Sequence, residues 1–173
     1  MGFFLLAAFL ISCSGNSYYQ KELNNYLTAK REYSSDLKFS ILLAPGWAKI
    51  IDNKNYSSEL WLMNSNMDEI ISVNKINVAG KIEKNTILTL MKSYRINNYR
   101  NQLINFKDTK IFINRKKYPG FFYKNRQEKN VFVYLCDIDN SYFEYVYITE
   151  RKVLSNEAVA MFSSIEINNK TKQ

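Results

Sequence analysis

An uninterrupted apolar run near the amino terminus constrains this chain more than any other feature of its sequence. Every residue from 3 to 11 is apolar, and small or polar residues follow. Such a run is too short to cross a bilayer as a helix, which needs about 20 apolar residues, but it has the length of the apolar segment of a secretory signal. The sequence therefore predicts a signal peptide over residues 1–12. A buried helix or strand is the alternative, because short motifs also match by chance. Met1 and Gly2 lack the basic residues that usually open a signal, so either the true start lies upstream or the export signal is weak.

Four residues at the end of this run resemble the bacterial lipobox. In Leu10-Ile11-Ser12-Cys13 an aliphatic residue stands three positions before the Cys, and a small residue directly precedes it. The resemblance implies that the Cys13 sulfur receives diacylglycerol, that the chain is cut before Cys13, and that the new amino group is often acylated. Two or three acyl chains hold a protein stably at a membrane. We therefore expect a lipid anchor on Cys13 in the cell envelope, and Ser14 favours sorting to the outer membrane.

The balance of charge favours anionic partners. The chain has 24 Lys and Arg residues against 16 Asp and Glu residues, which gives a formal net charge of +8. This excess attracts phospholipid headgroups or the acidic face of another envelope protein. Nucleic acid is also anionic, but an exported protein rarely meets it, so we predict no nucleic-acid partner.

Residue types that carry catalysis are scarce. The chain contains no His, which excludes Ser-His and Cys-His pairs as well as His ligands for a metal. Cys136 lies in the apolar stretch VFVYLCDI and is predicted to be a buried strand residue. In DIDNS, Asp137, Asp139 and Ser141 have the spacing of a calcium loop, but Ile148 stands where such a loop needs a bidentate Glu. We therefore predict a turn at DIDNS, no metal or cofactor, and no enzyme activity.

Hydrophobic periodicity predicts a series of strands interrupted by two helices. The first helix spans about residues 86–102, with Asn85 or Thr86 as its cap. Its predicted apolar face consists of Ile87, Leu90, Met91 and Tyr94. The second helix spans about residues 155–163 and is capped by Ser155 or Asn156. The predicted strands are 37–42, 58–64 and 69–79, followed by a four-strand meander over 105–115, 117–125, 130–139 and 141–149. Since the last strands are apolar on both faces, each face needs a cover, and each helix can supply one.

The order of these elements resembles the PsbP-like fold. An opening strand ends in APGW, a long helix precedes an antiparallel meander, and the last helix ends in MFSSIEI. The resemblance covers about residues 37–167 and implies an α+β domain in which an antiparallel sheet of six to seven strands has helices on both faces. The fold includes DcrB-type envelope lipoproteins, and it implies a binding or assembly module. The remaining boundaries are a lipidated amino terminus and polar tether over 13–36, and a polar tail over 168–173.

Two basic clusters are the candidate binding residues, and both are expected in loops at opposite ends of one hairpin. The residues are Arg115, Lys116, Lys117 and Tyr118 in one cluster, and Lys124 and Arg126 in the other. Each charge near an anionic membrane contributes about 1 kcal/mol to binding. Charged hairpin tips that are simply solvated are the alternative.

Three functions follow as hypotheses. The first is a lipid-anchored, non-catalytic module that binds another envelope component. The second is a carrier that holds a small apolar ligand in a pocket between sheet and helix, which would require a deep apolar cavity. The third, a hydrolase, would require a nucleophile and a base in contact in a cleft, and no spacing in the sequence suggests one.

Overall fold

The computed structural model describes residues 17–18, 20–34, 38–50, 60–78, 80–98 and 104–168. Its strands are, in chain order, β1 (Ser17–Tyr18), β2 (Arg31–Tyr33), β3 (Phe39–Leu42), β4 (Trp47–Lys49), β5 (Leu60–Asn64), β6 (Ile70–Ile76), β7 (Lys107–Ile113), β8 (Lys116–Lys124), β9 (Asn130–Ile138), β10 (Ser141–Thr149) and β11 (Glu166–Ile167). Its helices are α1 (Gln20–Leu23), followed by a 3₁₀ turn (Asn24–Tyr26), α2 (Lys84–Asn98) and α3 (Asn156–Ser163).

Seven antiparallel strands form the large sheet, in the order β7-β8-β9-β10-β6-β5-β4. The meander β7–β10 is as predicted, and β6 returns to pair with β10 along its whole length. Two-residue turns join β7 to β8 and β9 to β10, and all four of their residues have positive φ, as tight hairpin turns require. These residues are Asn114, Arg115, Asp139 and Asn140. The short strand β1 adds to the β7 edge in parallel orientation.

The two longer helices cover opposite faces of this sheet, as the sequence predicts. Along β9, Tyr134 and Cys136 belong to the core cluster of α3, whereas Val133 and Leu135 belong to the cluster of α2. The alternation follows from the period of two in a strand. On the α3 side, the Tyr145 hydroxyl donates a 2.7 Å hydrogen bond to the Ala158 carbonyl, which fixes the helix to the sheet. The α+β class with helices on both faces is therefore confirmed.

The amino cap of α3 is also as predicted. Ser155 has extended backbone geometry, and its hydroxyl accepts a hydrogen bond from the Ala158 N–H. A Ser in this position satisfies one of the otherwise unpaired amides at the start of a helix.

The predicted apolar face of α2 is only half correct. Ile87 and Met91 are buried, but Leu90 is 59% exposed and Tyr94 is 62% exposed. The third buried residue of the helix is Arg95, because it forms an ion pair with a carboxylate of the sheet. The helix also begins two residues earlier than predicted, at Lys84, and the end predicted near residue 102 lies outside the described residues.

For residues 20–34, the structure corrects the polar tether predicted over residues 13–36. Residues 20–34 are packed on the domain: the Leu23 side chain is 2% exposed within the α3-side core, and β2 pairs with β3. Strand β3, predicted as the opening strand, pairs with β2 and β11 in a separate three-stranded sheet. The sequence did not reveal this packing, because it depends on one buried Leu and on backbone pairing between strands. Neither requires a periodic apolar sequence.

The predicted break at Pro45-Gly46 is a turn in which Gly46 has a φ of +76°, a conformation that L-residues rarely adopt. Trp47 follows it and is buried at the start of β4, a strand that the sequence did not predict. Among the described residues, the structure contains no helix with the length and apolarity needed to span a membrane.

Candidate functional site

The first basic cluster lies at the turn between β7 and β8. Asn114 and Arg115 form the turn, and Ile113 pairs with Lys116 directly across it. Arg115, Lys116 and Lys117 are all exposed. Because successive side chains on a strand point to opposite faces, Lys116 lies on the α3 side of the sheet and Lys117 on the α2 side. The cluster is therefore divided between two surfaces.

Lys116 is engaged within the molecule. Its Nζ lies 2.9 Å from Asp137 Oδ1 and donates a 2.6 Å hydrogen bond to the Asp137 carbonyl. Lys84 Nζ lies 2.7 Å from Asp137 Oδ2. Burial disfavours the charged form of Asp137, but the hydrogen bonds from the two lysines outweigh it, so the pKa of this carboxyl lies below its usual value. The sequence analysis missed this cluster, because Lys84 and Asp137 are 53 residues apart.

Tyr118 packs against the core and is only partly accessible. Its ring centroid lies 5.0 Å from that of Phe162 on α3, and Lys116 Nζ lies 5.4 Å from the Tyr118 ring. Burial raises the pKa of Tyr118 to about 12. The structure therefore places Tyr118 as a packing residue of the α3 side.

The second basic cluster lies at the opposite end of β8, about 27 Å away by the rise of an extended strand. Here Lys124 Nζ lies 2.9 Å from Glu128 Oε2, and Lys129 Nζ lies 3.9 Å from Glu150 Oε1. The Asn125 side chain accepts hydrogen bonds from two backbone amides of the same turn. Arg126 belongs to this turn. Carboxylates therefore compensate much of the charge at this end.

The two ends of β8 differ in which positive charges lack an acidic partner. Among the described residues, neither Arg115 nor Lys117 has an ion-pair partner within 4 Å. On neighbouring β7, Lys110 lies with its Nζ 5.7 Å from the Phe112 ring, and Phe112 pairs with Lys117 across the strands. We call Lys110, Phe112, Arg115 and Lys117 the β7–β8 patch. Arg115 and Lys117 were predicted from the sequence, whereas the two residues on β7 were not.

The turn predicted at DIDNS is confirmed, because Asp139 and Asn140 join β9 to β10 with positive φ. Asp137 is held by two lysines, and within the described part of the chain no three acidic, Cys or His side chains are grouped as metal ligands. Cys136 is fully buried in the α3-side core, as predicted, and burial raises the pKa of its thiol.

A cleft of about 940 Å³ lies between the segment that leads into α2 and the β9–β10 turn. Its lining includes Lys81, Glu83, Lys116 and Asp137 beside Val78, Ile82 and Tyr142. Charged side chains on its walls make it unsuited to an apolar ligand, because desolvating them without partners is costly. The carrier hypothesis needs a different kind of cavity from this one.

A buried ion pair attaches α2 to the sheet. Arg95 Nη1 lies 2.8 Å from Glu144 Oε1, and the two side chains are only 10% and 15% exposed. The Asn74 amide donates to Glu144 Oε2 at 3.1 Å, and the Arg95 guanidinium lies 5.4 Å from the Phe121 ring. Burial disfavours the charge on Arg95, but Glu144 outweighs it and raises the pKa. The sequence contained two signals of this ion pair: an Arg four residues after Met91 on the helix, and a Glu inside an aromatic strand.

The chain has a PsbP-like α+β fold. It is similar to the solution structure of the cyanobacterial PsbP protein CyanoP from Synechocystis sp. PCC 6803, with a TM-score of 0.56 and 10% identity over 80% of this chain and 92% of that one. It is also similar to a crystal structure from Bacteroides thetaiotaomicron, with a TM-score of 0.51 and 13% identity over 82% of this chain and 49% of that one. Neither a family model nor a curated protein sequence matches the chain. At these identities the likeness establishes the fold.

Proposed function

We propose that this protein is a lipid-anchored component of the cell envelope and acts as a non-catalytic binding or assembly module. The observation that carries the proposal is the apolar run 3–11 that ends within Leu10-Ile11-Ser12-Cys13, which together have the form of a signal with a lipobox. Cys13 and its neighbours lie outside the described residues. The PsbP-like fold supports the second part of the proposal, because the resemblance implies binding modules.

The arrangement of the described residues supports a binding role over catalysis. Packed apolar side chains cover both faces of the sheet. The two basic clusters lie at opposite ends of β8. A carboxyl group that acts in acid-base catalysis near neutral pH usually has a raised pKa. In the cleft described above, hydrogen bonds from Lys84 and Lys116 instead hold the pKa of Asp137 below its usual value, which is the arrangement of a structural ion cluster.

The lipid anchor is tested by mass analysis of the amino terminus. The wild-type protein should begin at Cys13 and carry acyl mass, and it should fractionate with membranes. Cys13→Ala should carry no acyl mass and should lose the cleavage before residue 13. Cys136→Ala is the matched control, because it removes the other Cys of the chain and should leave lipidation unchanged. A wild-type amino terminus without acyl mass would refute the anchor.

A further inference from the structure

Strand β1 determines where a lipid on Cys13 would hold the domain. Ser17 pairs with Phe112 at the β7 edge of the large sheet. Cys13 stands four positions before Ser17, and an extended chain spans at most about 3.5 Å per residue, so the chain allows at most about 14 Å between them. This inference rests on the proposed anchor. Given that anchor, the β7 edge is the part of the sheet nearest the bilayer.

Positive charge is also dense at the same edge. Residues 110–117, which contain the end of β7, the turn and the start of β8, have four Lys or Arg residues and no acidic one, a formal charge of +4. Of these four, Lys116 is paired with Asp137. An anionic surface attracts such a segment, and the attraction falls off within a Debye length of about 8 to 10 Å.

The β7–β8 patch has the composition of a membrane-contact surface. Arg115 and Lys117 are exposed cations without an ion-pair partner among the described residues, and Phe112 adds a half-buried aromatic ring beside Lys110. Phe112 is also the residue on which β1 pairs, so the anchor segment ends at the patch itself. We propose that the β7–β8 patch rests on the headgroups of an anionic phospholipid bilayer and fixes the orientation of the domain.

Site-specific fluorescence tests this orientation in the intact lipidated protein. Cys136 is fully buried and Cys13 is lipidated in the proposed protein, so an introduced Cys is the reactive thiol. One label is placed at Lys117→Cys. The other is placed at Met67→Cys, which is 70% exposed in the turn between β5 and β6, about 20 Å from β7 by strand spacing. The Met67→Cys variant also carries Lys117→Gln, so that the two proteins have the same charge.

Each protein is reconstituted in vesicles of phosphatidylcholine and phosphatidylglycerol that contain a headgroup quencher. The label at residue 117 should be quenched severalfold more strongly than the label at residue 67. The difference should shrink in pure phosphatidylcholine and in 1 M salt, where the Debye length is about 3 Å. Equal quenching of the two labels in a protein with confirmed acyl mass would overturn this inference and leave the anchor standing. An amino terminus without acyl mass would overturn both.

A charge comparison provides the second measurement. In the Lys117→Cys protein, the added changes Lys110→Gln and Arg115→Gln should move the label away from the quencher. They should lower the equilibrium constant for contact of the patch with the anionic surface by about 30-fold, because each charge contributes about fivefold. The matched control is Lys49→Gln with Lys75→Gln on β4 and β6, which should change nothing. Equal effects of the two pairs would refute a specific patch. If label 117 is protected in native envelope membranes but not in anionic vesicles, the patch faces a protein, and the lipid assignment is wrong.

Discussion

The ion pair between Arg95 and Glu144 gives the sharpest test of how α2 is held to the sheet. With the side chains 10% and 15% exposed, removing one partner leaves the other charge buried without compensation, which costs about 3 to 5 kcal/mol. Phe121 and Asn74 retain some contact with the remaining group, so we expect about 3 kcal/mol for Glu144→Gln. At this chain length, the loss corresponds to a decrease in Tm of about 6 to 12 °C.

A double-mutant cycle separates the pair from its surroundings. Arg95→Met and Glu144→Gln should each lose about 3 kcal/mol of unfolding free energy, whereas the double variant should lose about 2 kcal/mol, because no charge remains buried. The assay is urea denaturation followed by the fluorescence of Trp47, which is buried in the core. Glu128→Gln is the control, since it breaks the exposed Lys124–Glu128 pair and should cost less than about 0.5 kcal/mol.

Two results would contradict this reasoning. The first is that Glu144→Gln destabilises the protein no more than Glu128→Gln does, which would mean that the Glu144 site is effectively solvated. The second is that the effects of Arg95→Met and Glu144→Gln simply add, which would mean that the two charges do not stabilise one another.

Two further predictions concern the sheet and its charged end. A Cβ at Gly120 would lie 2.1 Å from the Val133 carbonyl oxygen, so Gly120→Ala should lower the unfolding free energy by about 3 kcal/mol or more. The control is Gly80→Ala, whose Cβ meets no atom within 4 Å and which should cost only about 1 to 2 kcal/mol from its positive φ. Comparable losses in the two variants would contradict the close approach at Gly120. The pKa of Asp137 is lower in the folded protein, so its stabilisation is present above the unfolded pKa of about 3.9 and is lost as pH falls through the folded pKa. In urea titrations, the stability difference between wild type and Asp137→Asn should therefore be larger at pH 7 than at pH 2. A difference that does not change with pH would refute this assignment.

The sequence predicted the sheet more accurately than it predicted the position of the helices on it. The meander was visible because its strands have strong apolar periodicity and short polar breaks, and the cap of α3 was visible because Ser155 precedes an apolar helix. On α2, hydrophobicity alone selected Leu90 and Tyr94 for burial. The sheet instead offered Glu144 to that face, and the helix turned Arg95 toward it. A buried ion pair depends on a partner 49 residues away, which a local pattern does not reveal.

The candidate site was predicted in part for a similar reason. Arg115 and Lys117 were found because they are consecutive basic residues at a polar break. Lys116 was grouped with them, but its Nζ contacts Asp137 on the neighbouring strand β9. Lys110 and Phe112 were not assigned to the site, because only the pairing of β7 with β8 brings them next to Lys117. The packing of residues 20–34 on the domain was hidden by the polar composition of residues 13–36.

The margins of the large sheet have a consequence for a chain that folds among many copies of itself. A long, flat outer strand offers unpaired amide and carbonyl groups to other polypeptides and so promotes aggregation. Here the terminal strands, β1 and β4, are two and three residues long, and β7 beneath β1 carries Lys107 and Lys110 on its uncovered length. Positive charges on the edges repel one another, and the short edge strands give another chain little backbone to pair with. Both features oppose edge-to-edge growth, so that many copies can crowd together without forming a continuous fibrillar sheet.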